Sequence, residues 1–245
     1  MTSQQVNQKD HQEPMTQNFP KEPLSGDVWP LLSTDITDQR RKRMEAVAAR
    51  RTNHVRLVIQ DIHDPHNIAA CMRSAEAFGI LNVDVINLYQ KFKPSSVSRG
   101  SAGWLRVRQW SEIAKCVEAL REEGYLIAAG MPSQDSTSLH QMPVSQKVAV
   151  LFGNEHRGVA PEWMDHVDIK FTIPMVGMVE SLNISVSAAL TLSEVSRRAR
   201  EEVGDLAYYL KPSQQNELLG EWIAAKTNRF DRVIAEKRDR VAKNS

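Results

Sequence analysis

Three stretches of this 245-residue chain combine residue types able to hold and activate a small charged substrate, and each follows an apolar run. The first is residues 61–67 (DIHDPHN), which lead into a helical pattern carrying Arg73. A carboxamide and a guanidinium can grip a hydroxyl or a phosphate. Equally, Asn67 is a good helix cap, Pro65 a turn former, and an Arg two turns into a helix an ordinary ion-paired surface residue. The second stretch is residues 151–158 (LFGNEHRG), where Gly153, Asn154 and Glu155 end an apolar run. Such a turn presents backbone amides beside a carboxylate, and Gly158 allows a second tight bend. A plain strand-to-helix loop has the same composition. The third is residues 173–190 (IPMVGMVESLNISVSAAL), an apolar loop with Met175, Gly177 and Met178 that passes through Ser181 and Asn183 into a small-residue helix. An apolar loop with free amides suits an adenine ring, and a loop turned to the core uses the same residues. Ser185, Ser187, Ala188 and Ala189 let backbones approach closely.

Other chemistries lack their anchors. There is no GxGxxG after a strand pattern, no Walker loop and no GxSxG elbow. His63, His66 and Cys71 lie near one another, but their spacing fits no common zinc pattern, so no metal site is expected.

The elements that must position these stretches alternate. Residues 55–61, 83–88, 125–129, 147–152 and 168–173 read as strands, and 67–78, 111–123 and 183–200 as helices. The pattern predicts an α/β fold with a mostly parallel sheet and helices on both faces. All three stretches then fall at the C-terminal ends of strands, where open α/β sheets bind ligands. Residues 90–103 read as a polar loop. Residues 1–30 lack an apolar period and read as a disordered tail. Residues 31–54 hold a basic helix, capped by Thr34 or Asp35, whose thin apolar stripe (Ile36, Met44, Val47) must lean on the body or a partner. Residues 201–245 read as an appended helical extension without a second core.

The composition, 41% hydrophobic and 25% charged, is that of a globular protein. No apolar run approaches the ~20 residues that span a bilayer, and no secretion signal is present, so a cytoplasmic protein with no membrane partner is expected. Cys71 and Cys116 read as reduced thiols. The net charge is only +1, yet seven Lys/Arg face one acid between Arg40 and Arg56. Residues 226–243 and the group Arg197, Arg198 and Arg200 are basic again. Each cluster alone suits a solvated helix face, and together they suit a rim for phosphates.

Taken in order, Asn67 with Arg73, then Gly153-Asn154-Glu155, then the long Met/Gly loop with its Ser-Leu-Asn helix start resemble the three motifs of the SpoU/TrmH group of SPOUT methyltransferases. The resemblance covers about residues 55–200. It implies a C-terminal trefoil knot, S-adenosylmethionine as cofactor and transfer of its methyl group to a ribose 2′-hydroxyl of RNA. It implies cofactor contacts at Gly130, Met131, Gly153, Ile173, Met175 and Leu182. Arg73 would be the activating residue, with Asn67, Glu155, Ser181 and Asn183 positioning it and the substrate. It also implies a homodimer. Short basic extensions in place of a separate RNA-binding domain are similar to members acting on guanosine 18 of the tRNA D-loop. Ribosomal RNA, or a silent RNA-binding or assembly role, is the alternative, and DNA is not an expected partner.

Overall fold

The computed structural model describes residues 24, 26–88 and 99–244. Two helices come first, Val28–Leu32 (α1) and Asp38–Ala48 (α2), then strand Val55–Gln60 (β1), helix Pro65–Ala77 (α3) and strand Asn82–Ile86 (β2). A short helix Arg99–Ala102 (α4) precedes Arg106–Trp110 (β3), Ile113–Glu122 (α5), Leu126–Gly130 (β4), Thr137–Ser138 (β5), Val148–Phe152 (β6) and Ile169–Thr172 (β7). Helices Ile184–Val203 (α6), Asp205–Tyr208 (α7), Pro212–Ala224 (α8) and Phe230–Asn244 (α9) follow.

The strands form one sheet in the order β3-β2-β1-β6-β4-β7-β5, and every pairing is parallel. The continuous apolar runs explain the centre: β1 and β6 are buried at every position, as strands covered on both faces must be. Leu57 and Ile59 face a cluster with Met72 of α3 and Ala188 and Leu192 of α6. Val58 and Leu151 face the opposite cluster, with Cys116, Val117 and Leu120 of α5 and Trp163. The α/β architecture expected from the sequence is therefore present, and no helix among the described residues is long and apolar enough to cross a membrane.

Two strands escaped the sequence pattern. β3 (RVRQW) carries charge where a buried strand is apolar, because its arginines are neutralised within the fold. Arg108 Nε donates to Asp84 Oδ1 at 2.8 Å, and Arg106 Nη2 pairs with Glu221 at 2.6 Å. β5 has two residues and no periodicity to read. Within the expected polar loop 90–103, residues 90–98 lie outside the described residues, while Arg99–Ala102 is helical.

The termini need correction too. The expected tail 1–30 lies outside the described residues up to residue 23, but Val28–Leu32 is a helix with Val28, Trp29 and Leu32 buried. Thr37, not Thr34 or Asp35, caps α2, accepting from the Arg40 amide at 3.3 Å. The extension also has a core after all. Trp29, Leu32, Met44, Leu218, Trp222 and Ile234 form a third buried cluster with Leu81. Each helix alone carries too few apolar residues to signal this, but four helices pooling them do not. This layer packs against Leu81 and Trp104, which precede β2 and β3, so it sits at the strands' N-terminal ends. Of the basic clusters, Arg197 is tied to Glu194 and Glu201, and Arg200 to Asp205. Arg51 and Arg56 are buried and paired. Arg40, Lys42 and Arg43 have no ion-pair partner among the described residues.

Asp84, fully buried on β2, accepts from Trp110 Nε1 at 2.6 Å and neutralises both Arg56 and Arg108. Replacing it by Ala leaves Arg56 buried with only the half-exposed Glu123 as partner. Asp84→Ala is expected to lower the free energy of unfolding by about 3–5 kcal/mol, measured as a shifted urea midpoint at constant slope.

Candidate active site

The site is built where β1, β6 and β7 end. Chain direction reverses after β1 through Asp61, whose φ of 49° lies in the left-handed region. α3 then begins at Pro65, and Asp64 caps it by accepting from the His66 amide at 2.8 Å. Because Asp64 does the capping, the Asn67 side chain is released for another use. Its Nδ2 donates to Glu155 Oε1 at 3.0 Å, and its Oδ1 accepts from Asn183 Nδ2 at 3.3 Å. The three sequence motifs therefore meet in one hydrogen-bonded row.

Glu155 is held by a tight turn. Asn154 and Gly158 exchange backbone hydrogen bonds of 2.9 Å. The Asn154 Oδ1 accepts from the His156 and Arg157 amides at 2.9 and 3.1 Å. Its Nδ2 donates to the Asp61 carbonyl at 2.6 Å. From that turn Glu155 Oε2 accepts from the His63 amide at 3.2 Å. Burial works against the Glu155 carboxylate, but hydrogen bonds from the Asn67 side chain and from the amides of Glu155, His63 and Asp64 outweigh it. They hold its pKa below the usual glutamate value, so it is an anion and an acceptor at neutral pH. Asn183 caps α6, its Oδ1 accepting from the Ser185 amide at 2.8 Å and the Ser185 hydroxyl at 2.6 Å.

Beside this row lies a cavity of about 480 Å³, within the range that takes a nucleoside-sized ligand. Gly130, Met131, Gly153, Ile173, Met175 and Leu182 all line it, as do Glu155, Ser181 and Asn183. Its floor includes Phe152 and Phe171, set edge to face at 6.2 Å. The apolar side chains and strand-end backbone suit an adenine ring, and Glu155 and Glu180 at the rim suit a cationic or hydroxylated portion. Two glycines permit close approaches beside the cavity. A Cβ on Gly153 would lie 2.2 Å from the Gly158 carbonyl, and one on Gly130 3.1 Å from the Phe152 ring.

Arg73 stands apart from this group. It is exposed on α3 and lines a neighbouring depression with His66, Ser185, Val186 and Leu190. It has no ion-pair partner among the described residues, so it is not the paired surface arginine that its position alone would suggest. Ser185, bonded to Asn183 and lining the depression, links the two hollows. Sequence reasoning missed Phe152 and Phe171, which lie in strands and read only as core. It also missed Asp61, because nothing in its residue type announces a left-handed backbone.

Comparison with known proteins gives a consistent picture. The model of a family described as the SpoU rRNA methylase family matches residues 54–193. A tRNA (guanosine(18)-2′-O)-methyltransferase of Thermus thermophilus is 32% identical over 189 residues, covering 76% of this chain and 97% of the relative. The protein of that name from Borreliella burgdorferi is 31% identical, covering 77% of this chain and 86% of the relative. Among solved structures, the A. aeolicus TrmH/SpoU tRNA modifying enzyme superposes with a TM-score of 0.70 at 26% identity, over 78% of this chain and 98% of that one.

The contact at Gly153 generates a test of the geometry. Gly153→Ala must push the 153–158 turn away from β6, and the overpacking is expected to cost about 1–3 kcal/mol in stability. Gly177→Ala, which meets nothing within 4 Å, should change thermal stability negligibly. Equal melting temperatures for the two variants would contradict the packing described.

Proposed function

This chain belongs to the SpoU rRNA methylase family, and from that premise we propose that it transfers a methyl group from S-adenosylmethionine to the ribose 2′-hydroxyl of guanosine 18 in tRNA. The observation that carries the proposal is the hydrogen-bonded row Asn67–Glu155 and Asn67–Asn183 at the edge of an apolar cavity. A scaffold that only bound RNA would have no need to hold three distant polar side chains in one line. The choice of tRNA rests on the two relatives named for that reaction, matched along 86% and 97% of their lengths.

The residues fit the cofactor. Met131, Ile173 and Leu182 would enclose the adenosine, and the backbone of Gly130 and Gly153 would lie against it. Bound there, S-adenosylmethionine supplies a methyl group on a positively charged sulfur, a good leaving group. The chain must then orient a ribose hydroxyl and draw off its proton. Asn67, Ser181 and Asn183 supply donors and acceptors at neutral charge, and Glu155 keeps Asn67 in place. Arg73 carries a guanidinium, which offers five N–H donors and no acceptor. Its role is therefore to hold the adjoining RNA phosphate and stabilise the developing 2′-oxyanion, while the proton leaves through that phosphate to water.

Arg73 must reach the cavity from outside, and the neighbouring surface suggests how. Val186 and Leu190 on α6 are 45% and 47% exposed, and Val176 and Met178 of the 173–183 loop are fully exposed. A second copy of the chain covering this face would bury them and bring Arg73 to the cavity rim, so the working form is a homodimer. The catalytic unit is then residues 55–200, with the 173–200 segment threaded as the family's trefoil knot. The run from β7, between β4 and β5, to α6 packed on α3 suits that path. Arg40, Lys42 and Arg43 remain available for RNA phosphates in the cytoplasm, where tRNA is found.

The test is incubation with methyl-labelled cofactor and, separately, tRNA and ribosomal RNA. Label is expected in tRNA. Label confined to ribosomal RNA replaces the substrate, and no label with either removes the activity. Arg73→Ala should lower kcat by about 10²–10³-fold with cofactor affinity retained by calorimetry; undiminished turnover removes Arg73 from the mechanism.

A further inference from the structure

Asp61 is the one non-glycine residue with positive φ in the sheet domain among the described residues, the other being Arg229 between α8 and α9. Such a backbone is uncommon outside glycine, and asparagine and aspartate tolerate it best. Where it persists at a functional site, the surroundings hold it there. Here they do so on every polar group. The Asp61 amide donates to the Ile86 carbonyl at 2.9 Å. Its Oδ1 accepts from the Leu88 amide at 2.7 Å and its Oδ2 from Gln60 Nε2 at 3.2 Å. Its carbonyl accepts from Asn154 Nδ2 at 2.6 Å.

The last of these bonds depends on the left-handed turn. In an extended strand, carbonyl direction alternates along the ladder, toward one neighbour and then the other. The reversal at Asp61 takes its carbonyl out of the ladder and aims it at Asn154, on the turn that carries Glu155. Glu155 in turn reaches back to the His63 amide and Asn67, two and six residues beyond Asp61. The two turns thus close a ring: Asp61 fixes Asn154, Asn154 shapes the Glu155 turn, and Glu155 fixes the start of α3.

We infer that Asp61 is a positioning residue for methyl transfer, its left-handed backbone setting the Glu155 carboxylate, and through it Asn67, relative to the cavity. The inference rests on the proposed methyltransferase activity for its kinetic consequence, but the ring itself can be tested without turnover. Asp61 lines neither the cavity nor the depression beside it, so it acts through its neighbours, and its bond to Asn154 joins it to the Glu155 turn.

The experiment compares Asp61→Asn, Asp61→Gly and Asp61→Val with the wild-type chain, well below each melting temperature. Asparagine and glycine keep the left-handed backbone; a β-branched residue resists it. Asn and Gly variants are expected within about threefold of wild-type kcat, and Val at least about tenfold lower, with KM for tRNA changed less than threefold. Asp61→Val and Asn154→Ala break the same bond, so together they should be no worse than the poorer single variant. Amide exchange in the resting protein should show the His63 amide losing protection in Asp61→Val and keeping it in Asp61→Gly. A Val variant that melts earlier but keeps its kcat and its His63 protection reduces Asp61 to a stabilising role and overturns the inference, as does additivity with Asn154→Ala. If the wild-type chain transfers no methyl group while the exchange pattern follows expectation, the activity is wrong and the ring stands. If it transfers methyl and the exchange pattern is flat, the ring is wrong.

Discussion

The carboxylate of Glu155 joins two turns that the chain places far apart. It accepts from Asn67, 88 residues earlier, and from the His63 amide, 92 residues earlier, across the gap between the ends of β1 and β6. Hydrogen bonds to a charged acceptor stabilise by about 1.5–3 kcal/mol when shielded, and by less at an exposed edge such as this. Their value is therefore in geometry more than in stability. They fix which way Asn67 points, and Asn67 is the residue that Asn183 of the third stretch then meets.

Everything around this junction serves to keep it in place. β1 and β6 are adjacent, parallel and buried along their whole lengths, so the two turns emerge at a set distance. Gly153 lets the turn after β6 fold back against Gly158 with no room for a side chain. Asp64 takes over the capping of α3, which frees Asn67. Glu155 also lines the apolar cavity, so one carboxylate borders both that cavity and the polar row with Asn67. The terminal helices are remote from this, packed at the opposite ends of the strands with their own core.

Much of this was readable from residue order. The apolar runs at 55–61 and 147–152 announce buried parallel strands, and the third stretch with its Ser181, Asn183 and small-residue helix is long enough to identify a family. What could not be read depends on partners distant in sequence. β3 resembles a surface segment until Asp84 and Glu221 are seen to neutralise Arg108 and Arg106. The core under α8 comes from four sparse helices pooled. The capping of α3 by Asp64 rather than Asn67 is a choice between two good cap residues three apart, which residue type alone does not decide. Asp61 is invisible because φ has no residue code beyond a mild preference.

The central claim is that the Glu155 junction organises a tRNA ribose methyltransferase. The most direct test is mass spectrometry of nucleosides from purified tRNA of cells lacking this gene, complemented by the wild-type chain or by Glu155→Ala. The account predicts loss of 2′-O-methylguanosine in the deletion, recovery with the wild-type chain and little or no recovery with Glu155→Ala. Unchanged 2′-O-methylguanosine in the deletion strain, or full recovery with Glu155→Ala, would contradict it.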